Sequence, residues 1–228
     1  MTNAFFQTFC VSCEKPGPWV CADCEKDFPR VRHGHCSICG VPFANSKLVH
    51  PCFHCASKAP AYSKHRAPFY YSGAIEKLIK EFKYKADFWV RQFYQTAIER
   101  IKIEFREVDV IVPIPLHIDK LRTRGYNQSQ LLAEVWQKTL QKPLNLSGFV
   151  RVENNPTAQV ELNKIQRLKS LRSAFRVQNP QDFAGLNVLL VDDVHTTGST
   201  LHTAASEIMG AQAKSVVATS FAIVRESN

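Results

Sequence analysis

The run Val188-Leu-Leu-Val-Asp-Asp-Val-His-Thr-Thr-Gly-Ser-Thr-Leu201 is where apolar pattern, acidic groups and turn chemistry change within a few residues. Thr196, Thr197, Gly198, Ser199 and Thr200 are small donors around one glycine. At a helix start such a turn gathers unpaired backbone N–H groups, hydroxyls and the positive end of the helix dipole about one point, which suits a phosphate. Asp192 and Asp193 would accept hydrogen bonds from a vicinal diol and repel a second anion, so one phosphate and one sugar fit best. A Thr/Ser-capped helix behind a buried strand would carry the same turn, and the acidic pair is what separates the two readings. No G-x-x-x-x-G-K-[ST] loop occurs in the chain.

A second donor-rich stretch is Leu121-Arg-Thr-Arg-Gly-Tyr-Asn-Gln128. Arg122 and Arg124 beside Gly125 place cations and exposed N–H groups at a helix entry, where pyrophosphate is the natural partner of the first site; the plainer alternative is a basic, solvated loop. The third chemistry is sulfur. Cys10/Cys13, Cys21/Cys24, Cys36/Cys39 and Cys52/Cys55 form four C-x-x-C pairs that hold all eight cysteines. Two such pairs complete a tetrahedral four-thiolate zinc site, so two structural zinc ions are expected. Sequential pairing is simplest, cross-braced pairing stays possible, and a disulfide framework is the competing account. His33, His35, His50 and His54 crowd the same region, but eight thiols already suffice. Gly40 after Cys39 has the place of a knuckle glycine at positive φ.

The elements that must position these groups follow from periodicity. Val188–Val191 has the continuous apolar character of a strand buried on both faces, ended by the acidic pair. Leu201, Ala204, Ala205, Ile208 and Met209 continue at helical spacing to Gly210, a plausible C-terminal cap. Earlier, 69–71 forms a short strand, and Ile75, Leu78, Ile79 and Phe82 mark an amphipathic helix whose other face carries Lys77, Lys80 and Lys83. The Glu76–Lys80 spacing allows that face to be merely solvated. Residues 88–101 make a second helix, and 108–117 a buried strand stopped by Pro113 and Pro115. A helix with Leu132, Val135, Trp136 and Leu140 follows, then a final strand over 215–224. Residues 150–176 lack a core pattern and are rich in Lys and Arg, the composition of a mobile lid.

The chain has 228 residues and a formal charge of +9. Cysteine segregation divides it into a metal-binding module, 1–60, and a larger domain, 61–228. Charging eight thiolates and adding two Zn²⁺ lowers the total to +5, and residues 61–228 carry 23 Lys+Arg against 16 Asp+Glu, so the basic surface belongs to the second domain. That surface makes single-stranded DNA a candidate partner, with Lys80, Lys83, Lys85, Arg167, Lys169 and Arg172 as contacts. No stretch approaches the about 20 apolar residues of a membrane span and no signal peptide is evident, so a cytoplasmic protein is expected.

Three stretches together, P-I-P-L-H (113–117), R-x-R-G-Y-N-Q (122–128) and L-V-D-D-V-x-T-T-G-S-T (190–200), resemble the ComF family of competence-associated phosphoribosyltransferase-like proteins, as does the cysteine-rich start. Lys83-Tyr84, Thr157, Gln159, Arg167 and Ala174-Phe175 also match. His195 and Ser170 depart from the family, which usually has an apolar or tyrosyl residue and an asparagine there. A histidine beside the acidic pair would make ligand binding pH-sensitive, against the plainer expectation of an exposed turn histidine.

The resemblance implies a Rossmann-like type I phosphoribosyltransferase fold with a mostly parallel sheet behind a double zinc ribbon. It also implies 5-phosphoribosyl 1-diphosphate (PRPP) with Mg²⁺ as ligand, and a role in natural transformation beside a ComFA-like helicase. Asp192 and Asp193 would hold the ribose hydroxyls, 196–200 the 5-phosphate, and Arg122, Arg124 and Gly125 the diphosphate. The alternative is an active phosphoribosyltransferase with an unidentified acceptor. Purine-salvage relatives usually carry a base-binding hood after the last strand, and none is expected here.

Overall fold

The computed structural model describes residues 9–31, 34–43, 47–84, 88–152 and 174–224. The cysteine-rich part contributes helix α1 (Ala22–Lys26), strands β1 (His35–Cys36) and β2 (Val49–His50), and helix α2 (Phe53–Ser57). Then follow β3 (Lys64–Arg66), β4 (Phe69–Tyr70), α3 (Gly73–Phe82), α4 (Phe88–Ile98) and β5 (Val110–Pro113). Helices α5 (Ile118–Arg124) and α6 (Gln128–Leu140) lead to β6 (Phe149–Arg151), and the chain resumes with β7 (Phe175–Val177), β8 (Asn187–His195), α7 (Ser199–Gly210) and β9 (Ser215–Ile223).

The main sheet is parallel, in the order β3-β9-β8-β5, with β4 also pairing with β9. On β8, Val188 and Leu190 enter one buried cluster and Leu189 and Val191 the other, as a strand covered on both faces requires. Helix α7 packs into the first cluster through Leu201, Ala204, Ala205 and Ile208. Helices α3, α4 and α6 pack into the second, where Trp136 Nε1 donates to Tyr94 Oη at 2.9 Å. Ile75, Leu78, Ile79 and Phe82 are all buried, the stripe their spacing predicts.

Three expectations need correction. The acidic pair does not end its strand: Asp192 pairs with Ser220, Val194 with Ala222 and His195 with Ile223, because β9 offers an equally long partner whose ladder carries β8 past the carboxylates. Arg122 and Arg124 lie not in a helix-entry loop but in the last turn of α5, where cations favour the helix C-terminus, and Gly125 at φ +77° closes that helix. Gly210 is the final residue of α7 and Ala211 its cap. The lid expected over 150–176 lies mostly outside the described residues, and its flanks β6 and β7 form an antiparallel pair.

Connectivity fixes where a ligand is best placed. After β5 the chain runs through α5 and α6 to Leu144, which bridges Ile111 in parallel. Ile111 already pairs with Leu189 of β8, so Leu144 lies on the edge of β5 away from β8. After β8 it runs through α7 to β9, in the opposite direction across the sheet. The crossovers diverge between β5 and β8, and the crevice outside the carboxyl ends of those two strands is the ligand position that α/β sheets favour.

The cysteine-rich part packs directly on this sheet. Cys36, Cys39, Val41 and Cys55 share the cluster that holds Val188, Leu190 and Leu201. His65 Nδ1 lies 2.9 Å from the Cys39 carbonyl, and the His65 N–H donates to Ile38 at 2.6 Å. Gly40 sits at φ +73°, and a Cβ there would meet the His65 carbonyl oxygen at 2.6 Å. Gly73, at φ +54°, has nothing within 4 Å of the same position. Gly73→Ala is therefore expected to cost only the backbone term, about 1 kcal/mol. Gly40→Ala should cost clearly more, about 2–3 kcal/mol, because backbone must also move. Denaturant unfolding of the two variants checks this, and equal losses would show that the contact between module and sheet yields without cost.

Candidate functional site

Asp192 and Asp193 stand at the β5–β8 crevice. Asp192 Oδ1 accepts from Ser129 Oγ at 3.1 Å and from the Asp193 N–H at 2.9 Å. Asp193 Oδ1 accepts the Val194 N–H at 2.8 Å, and its Oδ2 lies 3.5 Å from Lys83 Nζ. Ser129 is delivered by Asn127, which caps α6: its Oδ1 accepts from the Ser129 N–H at 3.0 Å and its Nδ2 donates to the Ile114 carbonyl at 2.9 Å. Lys83 is delivered by the end of α3, whose last carbonyls receive Tyr126 Oη at Phe82 and Gln128 Nε2 at Lys83, the latter at 3.3 Å. The loop after β5 and the end of α3 thus converge on the acidic pair.

The turn beyond β8 keeps its donors accessible. Thr196, Thr197, Ser199 and Thr200 are exposed, and Gly198 adopts φ +75° at the N-cap of α7. Thr197 Oγ1 and Ser199 Oγ lie 3.0 Å apart. At the end of α5, Arg124 Nη1 donates to Gln128 Oε1 at 3.1 Å, while Arg122 is largely exposed with Asp119 as a distant partner at 4.0 Å. Among the DNA-contact candidates, Lys80 pairs with Glu76 at 2.7 Å on the outer face of α3, as the spacing allowed. Lys83 turns instead to the acidic pair, and Lys85, Arg167, Lys169 and Arg172 lie outside the described residues.

His195 is not an exposed turn residue. It is 4% exposed, its Nε2 lies 3.1 Å from Tyr62 Oη, and its ring packs against His65 with centroids 4.3 Å apart and the planes tilted by 32°. Its place in β8, paired with Ile223, turns it into the sheet, and burial pushes the imidazole down to about 4. Sequence reasoning missed Ser129, Asn127, Tyr62 and His65 as neighbours of the motif. Asn127-x-Ser129 at the helix start was a legible cap, whereas nothing in the local pattern of Tyr62 or His65 points to β8.

The eight thiols gather in sequential pairs. Cys10, Cys13, Cys21 and Cys24 form one group and Cys36, Cys39, Cys52 and Cys55 the other, with the sulfurs of each group within 4.8 Å of one another. This donor set fits tetrahedral zinc. Against burial, which raises it, backbone N–H groups of Cys13, Cys21 and Ser12 bring Cys10 down to about 6. The N–H groups of Cys52, Cys39 and Ile38 likewise overcome burial to bring Cys36 down to about 7. Cys55 is pushed up to about 12 by burial first, and Cys39 is also raised by burial, with the neighbouring Cys36 adding to it. Metal binding needs the thiolate form, so Cys10 and Cys36 are the thiols most readily given up to a cation, whose charge then offsets that of the raised Cys39 and Cys55. Chain purified under reducing, chelator-free conditions is expected to carry two zinc ions, and Cys36→Ser to carry one, by elemental analysis.

Asp192 has its own pH signature. Burial first, then the charge of Asp193, raises its pKa from 3.8 to about 7, against the Asp193 N–H, Ser129 and Lys83, which lower it. The folded chain therefore binds this proton more tightly than the unfolded one, and the resulting stability is complete below about pH 4 and disappears as pH rises through 7. Asp192→Asn, in the absence of ligand, is expected to melt above the parent chain at pH 8, with the gap closing toward pH 5. A gap independent of pH, followed by calorimetry across that range, would show that Asp192 is ionised throughout.

No family model matches the chain. It is 27% identical over 216 residues to competence protein ComFC of Bacillus subtilis (strain 168), covering 92% of this chain and 86% of that protein. It is 29% identical over 214 residues to competence protein F of Haemophilus influenzae, covering 87% and 89%, and 29% identical over 206 residues to the DNA utilization protein YhgH of Escherichia coli K12, covering 84% and 86%. The ComF resemblance drawn from the motifs is borne out across most of the chain. Among solved structures, glutamine phosphoribosylpyrophosphate amidotransferase from B. subtilis overlaps with a TM-score of 0.44 and 17% identity, covering 62% of this chain and 30% of that one. No helix among the described residues is long and apolar enough to cross a membrane.

Proposed function

We propose that this chain, similar to ComF-type competence proteins over most of its length, binds Mg²⁺·PRPP at the β5–β8 crevice and assists the handling of single-stranded DNA in the cytoplasm during natural transformation. The observation that carries the ligand reading is the carboxylate pair at the crevice, followed along the chain by the hydroxyl-rich turn and bonded through Ser129 to the start of α6, the helix that the Arg124–Gly125 turn leads into. Asp192 and Asp193 would accept the two ribose hydroxyls, which donate where Ser129 and Lys83 now do. Thr196 to Thr200 would surround the 5-phosphate, and Arg122 with Arg124 would face the diphosphate. The acidic pair and the ligand's own oxygens are hard donors of the kind Mg²⁺ takes, and the ion would neutralise diphosphate charge. The relatives' names supply the DNA context, and the +7 of residues 61–228 is the electrostatic support for it. In this reading 1–60 is the zinc-binding module, 61–228 the ligand- and DNA-binding domain, and a ComFA-like helicase the partner.

The test is calorimetry with Mg²⁺·PRPP and with an oligothymidylate, using the parent chain and Asp192→Asn/Asp193→Asn. Two charge-assisted contacts are lost, so PRPP affinity should fall by about a hundredfold or more while DNA affinity holds or rises. Unchanged PRPP affinity would remove the ribose-holding role. Release of diphosphate from PRPP on adding a panel of nucleobases and nucleotides would establish the transferase reading instead of binding alone.

A further inference from the structure

The two cysteine clusters sit on opposite faces of the sheet. Cys24, with Val11 and Val20, packs against the apolar cluster of α3 and α4, whereas Cys36, Cys39 and Cys55 belong to the cluster that holds Leu201 of α7. The second cluster therefore shares a face with α7 and its turn, and the first does not. Residues 61–65 run between that second cluster and the turn. At one end the cysteine knuckle grips His65. The Ile38 and Cys39 N–H groups donate to Cys36 Sγ, each at 3.4 Å, while the carbonyls of the same two residues receive the His65 N–H at 2.6 Å and His65 Nδ1 at 2.9 Å. The donors that wrap the sulfur thus fix the acceptors that hold His65. At the other end the His65 ring packs against His195, and His195 Nε2 lies 3.1 Å from Tyr62 Oη. A Cβ on Gly198 would meet those two atoms at 2.8 and 3.0 Å, so the backbone of the turn rests on that pair. The Ala61 N–H also donates to His202 Nδ1 at 3.0 Å, which ties the same segment to the first turn of α7.

We propose that Tyr62 and His195 are positioning residues for the ligand turn, held through His65 by the second zinc site, so that occupancy of this site and not of the first sets affinity at the crevice. The inference rests on the reading of 196–200 as the turn that holds the ligand, and adds to it a dependence on metal. None of these positioning groups needs to touch the ligand. With a cation bound, the four sulfurs share one centre and the knuckle is fixed; without it, the Ile38 and Cys39 carbonyls lose their register with His65 and the seat of Gly198 loosens. Coupling between two binding events is reciprocal, so PRPP must also retain zinc at the second site by the factor that zinc adds to PRPP affinity.

Cys10→Ser and Cys36→Ser make a matched pair in the full chain, since each removes the first, buried thiol of its cluster and should leave one zinc by elemental analysis. Titrated with Mg²⁺·PRPP, Cys36→Ser should bind about tenfold more weakly, while Cys10→Ser stays within about threefold of the parent. Tyr62→Phe keeps the ring and both zincs, and should weaken PRPP about fivefold, the scale of one hydrogen bond. Combined with Cys36→Ser it should add nothing further, because the two act in series. Amide exchange reads the turn without ligand: the His202 N–H, bonded to the Gly198 carbonyl at 2.8 Å, should exchange faster in Cys36→Ser and in Tyr62→Phe, with α3 on the other face unchanged. Equal losses of PRPP affinity in the two serine variants, additive losses with Tyr62→Phe, or an unchanged His202 rate overturns the inference. If Cys36→Ser does not fold, Tyr62→Phe and the parent's zinc retention against a zinc-selective chelator decide: parental affinity and exchange in Tyr62→Phe, or zinc retention that PRPP leaves unaltered, overturns it. A parent chain that binds no PRPP overturns the ligand reading instead, and His202 exchange then decides the positioning role by itself.

Discussion

Two carboxylates, adjacent in sequence, sit inside a strand whose preceding residues are buried on both faces, and much of the surrounding architecture answers to that constraint. Burial and like charge both favour protonating Asp192, and they are opposed only by specific donors: Ser129, the Asp193 N–H and Lys83. Each donor comes from a different element that must be held in place. Asn127 anchors the start of α6 to the Ile114 carbonyl after β5, and Tyr126 and Gln128 anchor the end of α3 to that same loop. The loop after β5 is therefore the hub through which α3 and α6 reach β8. A single slip in its capping would move both the serine and the lysine away from the pair.

The same strand ties the cysteine-rich part to the sheet. His65 bonds the Cys39 carbonyl with one ring nitrogen and Ser220 Oγ of β9 with the other, at 2.9 and 3.0 Å, and its ring packs at a tilt against His195 of β8. Burial and the neighbouring His195 hold His65 well below its usual value, so this contact is made by a neutral ring. A neutral, fully buried imidazole with both nitrogens engaged is a rigid spacer. Gly40 then allows the cysteine knuckle to approach the His65 backbone more closely than any side chain would permit.

The parts of this arrangement visible in the sequence are those that repeat with the period of an element. The stripe of α3, the buried run of β8, the pairing of C-x-x-C motifs and the turn at Gly198 follow from spacing and residue type. What sequence could not supply is pairing across the sheet. On the apolar run alone the strand stops at the carboxylates, but the ladder to β9 continues to His195. The same extension converts His195 from a turn residue into a core residue. In sequence Arg122 and Arg124 beside Gly125 read as the entry to the following helix, whereas the seven residues before that glycine form a short helix of their own that ends on it.

Lys83 shows how tertiary placement limits what net charge can mean. On the helix pattern alone it belongs with Lys77 and Lys80 on a basic face, available to any phosphate backbone. Its ammonium instead lies 3.5 Å from Asp193, with its side chain only 28% exposed. Withdrawing it toward DNA would leave two neighbouring carboxylates facing each other without a cation, which costs more than an exposed ion pair returns. Lys80 has already paired with Glu76 in the solvent-exposed manner that contributes little and screens easily. The charge that α3 can offer a nucleic acid is thus smaller than its composition suggests. An anionic ligand in the crevice would draw on Lys83 directly, so occupation of the acidic pair and the basic character of the adjoining surface are properties of one electrostatic system.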